Sequence, residues 1–414
     1  MTTAKPVHTS GDNLSVCMVT YSFYESDGRV LRYAEALAAR GDRVDVFALR
    51  REGSPAEDVI NGVHVRRVQS RSRNRGGQIA YVFGVLRFLF RVMFAMTEQH
   101  LRQPYKLVHV HSVPDFLVFA AWVPKLLGAK IILDVHDLLP ELYAGKYSGS
   151  QQSFKFKCLA RVERLSARFA DHVIAACDLW QQRLESRSAR SGSCTALVNV
   201  PNPAIFKREG RTRSDGKFIM LYPGTLNWHQ GLDLAIRAFA MIKDEIPNAE
   251  FHIYGEGQCH SLLVQLIEDL NLQERVFLRG FLPIRSVVRV MENADLGIVP
   301  KRREGFGNEA FSTKIMEFMS TGVPVIVSDT DVDRYYFDDS LVRFFRSGDE
   351  RDLAQSILAL YRDEQLRQKL SRNALRFVEL NNWDVMKVRY FAIVDLLVGA
   401  PQEKVVTAHS ISAD

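Results

Sequence analysis

The chain has 414 residues, 47% of them hydrophobic and 25% charged, which is enough for two domains with cores of their own; no period of about 20 to 50 residues recurs, which excludes a solenoid. A formal charge of +6 is mild: it accommodates an acidic membrane surface or a phosphorylated substrate and does not call for nucleic acid. The five cysteines, Cys17, Cys158, Cys177, Cys194 and Cys259, form no Cys-x-x-Cys pair, which speaks against a zinc site or a disulfide framework and suits a reducing cytoplasm.

Met1 to Asp12 is polar and has no apolar core of signal-peptide type, so export is not expected. Leu14–Val19 reads as a buried strand, followed by a loop to Gly28, a helix Arg29–Arg40 closed by Gly41, and a second strand Val44–Leu49. This is a Rossmann-like opening. It lacks Gly-x-Gly-x-x-Gly, so a dinucleotide site of dehydrogenase type is not supported. Asp27 is placed to cap the helix, and Arg29 in its first turn opposes the helix dipole, which makes it either a surface arginine or a cation usable against an anion. Residues 64–100 combine Arg66, Arg67, Arg71, Arg73 and Arg75 with the apolar segment Ile79–Met96, broken by Arg87 and Arg91; Phe154–Arg161 has the same character. No run of about 20 uncharged apolar residues occurs, so a spanning helix is not expected. These segments are expected to lie on an anionic membrane surface, core helices with basic outer faces being the alternative.

In the strand Leu107–His111 the two histidines share a face; with no third ligand in sight, satisfied half-buried histidines are expected in place of a metal pair. The strand beginning at Lys130 ends in His136 and Asp137, followed by Glu141. Polar residues at the carboxyl end of a strand are where α/β proteins keep their chemistry, and Asp137 and Glu141 are candidates to contact an acceptor or orient His136. Ala170–Cys177 reads as the last strand of this half and Val198–Pro203 as a linker.

A second Rossmann-like set starts at Phe218 to Gly224, continues through helix Leu232–Asp244, strand Glu250–Tyr254, the turn Gly255-Glu-Gly257, helix Cys259–Leu270 and strand Val276–Phe281. Residues 294–329 then read as strand, loop, helix, strand, with Glu309 and Glu317 separated by seven residues. Ser312 or Thr313 is a plausible N-cap, and Gly322 with Pro324 is a stop signal. On this helix Phe311, Ile315, Phe318 and Met319 share one side and Thr313, Lys314, Glu317 and Ser320 the other. A first-turn lysine is unfavourable for the dipole unless an anion sits at the helix start, where amides and ammonium would converge on it; an exposed Lys314–Glu317 ion pair is the alternative. Asp329, Asp331 and Asp333 form two overlapping Asp-x-Asp triplets. Helices Asp349–Arg362, Glu364–Leu380 and Trp383–Val398 close the chain.

Glu309-x7-Glu317 in its Ser-Thr-Lys-x-x-Glu-Phe-Met-x-x-Gly-x-Pro-Val-Ile setting resembles the donor-site motif of retaining GT-B glycosyltransferases of family 4, and the resemblance extends from about Val16 to Trp383. It implies an α/β, GT-B fold: two Rossmann-like domains facing each other across an interdomain cleft. Residues 1–203 would form the acceptor-side domain, 204–382 the nucleotide-sugar domain, 383–400 a helix crossing back to the first domain, and 401–414 a disordered tail. It also implies that Glu309 contacts the donor sugar, Glu317 the ribose hydroxyls, that His136 lies beside the sugar, and that the Asp-x-Asp triplets lie on a surface loop. Gly224, Gly255 and Gly257 would let backbone approach the nucleotide. The sequence departs from the family where an arginine and a lysine commonly face the diphosphate: Thr225 and Gln230 stand there. Lys314, the helix start at Ser312 and Thr313, and Arg29 are expected to supply the missing charge.

The reading is a metal-independent retaining hexosyltransferase without a cofactor, moving sugar from a nucleotide diphosphate sugar to a glycan, expected to be lipid-linked, at the cytoplasmic face of the membrane in polysaccharide assembly. Alternatives are an inactive scaffold subunit, a GT-A-like transferase holding a metal on Asp329–Asp333, and a sugar-nucleotide epimerase.

Overall fold

The apolar runs read as buried strands enter two parallel sheets in the computed structural model, which describes residues 13–70, 77–146 and 153–400. Among these, residues 13–140, 153–197 and 387–400 form one compact unit and residues 141–146 and 198–386 the other. The division falls at Leu197, and the last helix, Trp383–Val398, is shared between the units at Lys387. The polar N-terminus, the C-terminal tail, and Arg71, Arg73 and Arg75 of the basic segment lie outside the described residues.

The first unit is built on β1 (Ser15–Thr20), β2 (Arg43–Arg50), β3 (Glu57–Ile60), β4 (Val63–Ser70), β5 (Leu107–His111), β6 (Lys130–Val135), β7 (His172–Ala175) and β8 (Cys194–Ala196), in the order β3-β4-β2-β1-β5-β6-β7-β8. All neighbours pair parallel except β3 with β4. The segment Ala170–Cys177 is therefore not the last strand. β8 was missed because its apolar run is only three residues long, too short to show a period. Asp27 caps the helix Gly28–Arg40 as expected, its side chain accepting from the Val30 amide, and Gly41 ends it in the left-handed conformation.

The helix Gly77–Arg102 has two apolar faces. Val85, Phe88, Val92 and Met96 are buried at helical spacing, while Ile79, Phe83, Leu86, Phe90, Phe94 and Leu101 are exposed on the other side. By length and composition Ile79–Arg102 reaches the range of a membrane-crossing helix, contrary to the sequence expectation. It is nonetheless docked on its own unit: Arg87 Nε donates to Gln69 Oε1 at 3.0 Å, and Gln69 Nε2 donates to the Gly84 carbonyl at 2.9 Å.

The second unit carries β9 (Phe218–Pro223), β10 (Ala249–Tyr254), β11 (Val276–Arg279), β12 (Leu296–Val299), β13 (Val325–Ser328) and β14 (Arg343–Phe345), ordered β11-β10-β9-β12-β13-β14 and wholly parallel. Its core joins Met220, Phe239, Phe251, Ile298 and Leu353. The strand order reverses between β9 and β12, so the loops after these strands diverge and leave room for a ligand. Asp331–Tyr336, expected as surface loop, is a short helix capped by Thr330.

The helix Thr313–Ser320 packs closely on this sheet because Gly297 lacks a side chain: a Cβ there would stand 2.7 Å from the Phe318 ring. Gly297→Ala should therefore lower the melting temperature by an amount equivalent to about 1–3 kcal/mol of overpacking. Adding Phe318→Leu should recover part of that loss; additive losses in thermal melts would show that the two positions do not share this contact.

Candidate functional site

The carboxyl ends of β9, β12 and β13 deliver their following loops to one end of the second unit. Lys314, in the first turn of Thr313–Ser320, is drawn inward instead of lying on a solvated face. Its Nζ stands 3.1 Å from the point a Cβ on Gly224 would occupy and 5.4 Å from the Tyr222 ring centroid. Among the described residues no acceptor lies within hydrogen-bonding distance of it, so the exposed ion pair with Glu317 is not what forms. Burial, partly offset by Glu317 and reinforced by Lys301, holds this ammonium below the ordinary lysine range. Ser312 occupies the N-cap position but caps no amide; its hydroxyl is buried without a hydrogen-bond partner. A half-buried lysine whose ammonium finds no protein acceptor and a buried, partnerless hydroxyl thus share the first turn of a helix with its free amides, an arrangement that suits an anion.

A second cation, missed in the sequence, follows β12. Lys301 is 2% exposed, and its Nζ lies 2.9 and 3.1 Å from the two Asp333 oxygens and donates to the Ala310 carbonyl at 2.8 Å. The signal was present as a Lys-Arg-Arg run directly after a buried strand, but a charge run reads as a solvated face. Burial pushes the Asp333 carboxyl up despite Lys301 and Thr330. The Asp-x-Asp carboxylates are committed to the protein itself: Asp333 to Lys301, Asp331 to Arg303 and Asn308 at 2.8 and 2.7 Å, and Asp329 to the Ser347 amide at 2.8 Å.

The loop Gly224–Gln230 departs from expectation. Gln230 turns inward, its amide against the Tyr222 hydroxyl at 3.0 Å and the His229 ring at 2.9 Å, so it is not presented to a ligand; Thr225 is exposed, and its carbonyl accepts from Tyr222 at 2.9 Å. Gly255 and Gly257 are glycines for the sake of this loop, since Cβ atoms there would stand 1.8 Å from the Gly224 carbonyl oxygen and 2.4 Å from that of Leu226. Gly224 alone of the three borders the Lys314 ammonium. His229 is a further residue the sequence reading missed; burial, then Lys314 and Lys301, hold its imidazole below the ordinary histidine range. Glu309 ends the short turn Phe306–Glu309 and Glu317 lies within the following helix; both are half-buried.

The first unit holds the other predicted residues except Glu141, which the division assigns to the second. Asp134, on β6 and fully buried, accepts from Arg29 Nε at 2.8 Å and Nη2 at 2.7 Å, from His111 Nδ1 at 3.0 Å and from His136 Nε2 at 2.9 Å. Arg29 Nη1 donates to the Leu197 carbonyl at 2.9 Å. Arg29 is therefore a buried structural counter-ion and not the free cation expected, because the helix-start geometry aims it at a carboxylate of its own unit. Burial would raise the Asp134 carboxyl, but Arg29 and His136 hold it well below its ordinary range. Burial brings Asp137 up to about 6, and Glu141 is buried in the helix Leu139–Lys146.

His109 and His111 are fully buried, not half-buried, and their third neighbour is Asp134, ligand atoms of the three lying within 4.8 Å. Arg29 already neutralises that carboxylate, so a dication there would face a buried guanidinium, and the trio suits a metal poorly. His109 Nδ1 pairs with the Tyr390 hydroxyl at 2.9 Å and serves to dock the last helix within its unit.

Lys301 and Lys314 should respond oppositely to loss of charge. Lys301→Met strands a buried Asp333 and should destabilise by about 3–5 kcal/mol. Lys314→Met removes an ammonium with no acceptor and should raise the melting temperature; a fall of similar size in both variants would contradict this assignment.

Residues 28–199 match the family described as "Glycosyl transferase 4-like domain" and residues 205–377 the one described as "Glycosyl transferases group 1". Poly(glycerol-phosphate) alpha-glucosyltransferase of Bacillus subtilis is 32% identical over 162 residues, 36% of this chain and only 22% of that relative's length. Phosphatidyl-myo-inositol mannosyltransferase of Mycobacterium leprae is 24% identical over 381 residues, 88% of this chain and 92% of its own. In three dimensions the chain is similar to HepE of Anabaena, solved in complex with UDP-glucose, with a TM-score of 0.71 and 15% identity over 93% of this chain and 100% of that one. At such identity the likeness concerns the fold alone.

Proposed function

The chain belongs to the group 1 glycosyltransferases, family 4, with a GT-B fold, and from that premise we propose that it is a retaining hexosyltransferase using a nucleotide diphosphate sugar. The observation that carries this is the acceptorless Lys314 ammonium and the partnerless Ser312 hydroxyl in the first turn of one helix. Departure of a nucleoside diphosphate is the costly event in such a transfer, and fixed positive potential lowers that cost without reorganisation. Lys314, the Ser312 hydroxyl and the helix amides bind the phosphates, with the Lys301–Asp333 pair close enough to act on the Lys314 charge. Glu317 takes the ribose hydroxyls and Glu309 those of the sugar, roles carried over from the family. No protein nucleophile is needed: a phosphate oxygen of the leaving group accepts the acceptor proton as the new glycosidic bond forms on the same face. His136 takes the role beside the sugar that is carried over from the family, and Asp134 fixes its ring by accepting from Nε2.

The acceptor in this reading is a lipid-linked glycan in polysaccharide or glycolipid assembly, and the enzyme works without metal as a peripheral protein at the cytoplasmic membrane face. The exposed stripe Ile79, Phe83, Leu86, Phe90 and Phe94, flanked by Arg87 and Arg91, supports it, as does a relative named for transfer to phosphatidyl-myo-inositol. The loop Gly224–Gln230, which carries neither family cation, favours a second reading, an inactive scaffold subunit.

Thermal-shift measurements with UDP and GDP test the donor site, since a ligand at 100 times its Kd stabilises by about 2.7 kcal/mol. Glu317→Ala should raise KM for the nucleotide sugar by about 10- to 100-fold, and Glu309→Ala should cut kcat by about 100-fold or more, both unaffected by chelator. Nucleotide binding without any turnover, even into hydrolysis, would favour the scaffold. Flotation with anionic vesicles tests the membrane surface: exchanging Phe83 and Phe94 for serine should abolish it, and equal flotation of the variant would remove this part of the reading.

A further inference from the structure

His229 sits where three parts of the donor unit meet. Its carbonyl accepts from the Arg302 amide at 2.9 Å, its ring meets Phe306 edge-on at 5.6 Å between centroids, and Lys314 and Lys301 both act on its charge. The loop that carries it is rigid. Arg302 lies over the Trp228 ring at 3.8 Å and pairs with Asp233 at 2.6 Å, and Gly231 adopts a left-handed conformation in which any Cβ would strike the Pro300 carbonyl.

Its hydrogen bonding favours one tautomer, the one in which the Thr225 carbonyl also finds a donor. Tyr222 has one hydroxyl proton but two oxygens within reach, the Thr225 carbonyl at 2.9 Å and the Gln230 amide oxygen at 3.0 Å, while the Gln230 nitrogen faces His229 Nε2 at 2.9 Å. Turning the Gln230 amide over satisfies every group. Tyr222 then donates to Thr225, the Gln230 N–H donates to the Tyr222 oxygen, and the Gln230 oxygen accepts from His229 Nε2–H. The neutral ring in that network carries its proton on Nε2 and keeps a lone pair on Nδ1. Nδ1 makes no hydrogen bond among the described residues and is not one of the buried partnerless atoms, so it is open to solvent. A lone pair repels phosphate oxygens, whereas an Nδ1–H of an imidazolium binds them.

We propose that His229 is a further donor-binding residue: it holds the diphosphate of the nucleotide sugar as an imidazolium, so that nucleotide binding takes up a proton at Nδ1. The inference rests on the donor site placed at Lys314 above. In the free protein the charged groups around the ring are mainly cations: Lys314 on its helix, Lys301 with its counter-ion Asp333, and Arg302 with its counter-ion Asp233. Glu309, at the end of the turn that carries Phe306, is the carboxylate of that element. Two ammonium groups disfavour a third positive charge, and an arriving dianion reverses that balance. His229 thereby supplies, only when ligand is present, one of the two positive charges that Thr225 and Gln230 leave out.

Calorimetric titration of UDP and of GDP into the full chain near pH 7.5, about one unit above the ordinary histidine value, in buffers of different ionisation enthalpy, reads the protons taken up. Wild type should take up more protons than His229→Gln, by a difference approaching one, because ionisation of the nucleotide itself contributes equally to both and cancels. The affinity of wild type should fall more steeply with rising pH than that of the variant. Equal proton numbers with binding retained overturn this inference and leave the donor site intact; binding of neither nucleotide overturns both. Should His229→Gln melt early, imidazole nitrogen spectra of wild type decide, with His229 as the histidine whose titration midpoint moves upward on adding UDP. No such movement in any histidine overturns the inference equally.

Discussion

The end of the second unit depends on how buried positive charge is compensated. Two ammonium groups come together there, and the fold treats them differently. Lys301 is locked against Asp333 and the Ala310 carbonyl, a complete pair in a setting where an incomplete one would cost several kcal/mol. Lys314 has no such partner, and its cost is borne by the packing of Ile315, Met316, Phe318 and Met319 under the same helix. A protein that keeps an unmatched ammonium beside a partnerless Ser312 hydroxyl gives up stability at one point, and the proposed diphosphate restores the balance when it binds.

Backbone geometry serves that charge arrangement. Gly224 leaves the space the Lys314 ammonium occupies, while Gly255 and Gly257 let the neighbouring loop lie directly on Gly224 to Leu226. The Tyr222, Gln230 and His229 hydrogen bonds then fix a loop where the resemblance to the family implies cations. The family's arginine and lysine are replaced here by a neutral, rigid segment, and positive charge enters from the helix and from the segment after β12.

The first unit shows the opposite solution to the same problem. Asp134 is fully buried, yet Arg29, His111 and His136 donate to it together, and the Tyr390 contact to His109 closes the network from the last helix. A fully matched cluster of this kind rigidifies the carboxyl ends of β5 and β6. His136 gains a fixed ring orientation from it, and Arg29 loses the freedom to meet a ligand.

Periodicity and punctuation carried most of the architecture. The strands β1, β2, β5 to β7 and β9 to β13, the helix Trp383–Val398 and the glutamate pair flanking Ser312 could be read directly, because burial on both faces of a parallel sheet forces continuous apolar runs and caps force particular residues at helix ends. The short strands β8 and β14 escaped, being too brief to carry a period, and β3 and β4 escaped because their charged residues leave no continuous apolar run. The sequence by itself also determined that an anion-suited helix start lies between two carboxylates. It could not say which charges are compensated: Arg29 and Lys301 are matched by Asp134 and Asp333, partners 105 and 32 positions away, while Lys314 is not. Pairing of buried charges is a property of distance in space, and only the tertiary structure brings those carboxylates within reach.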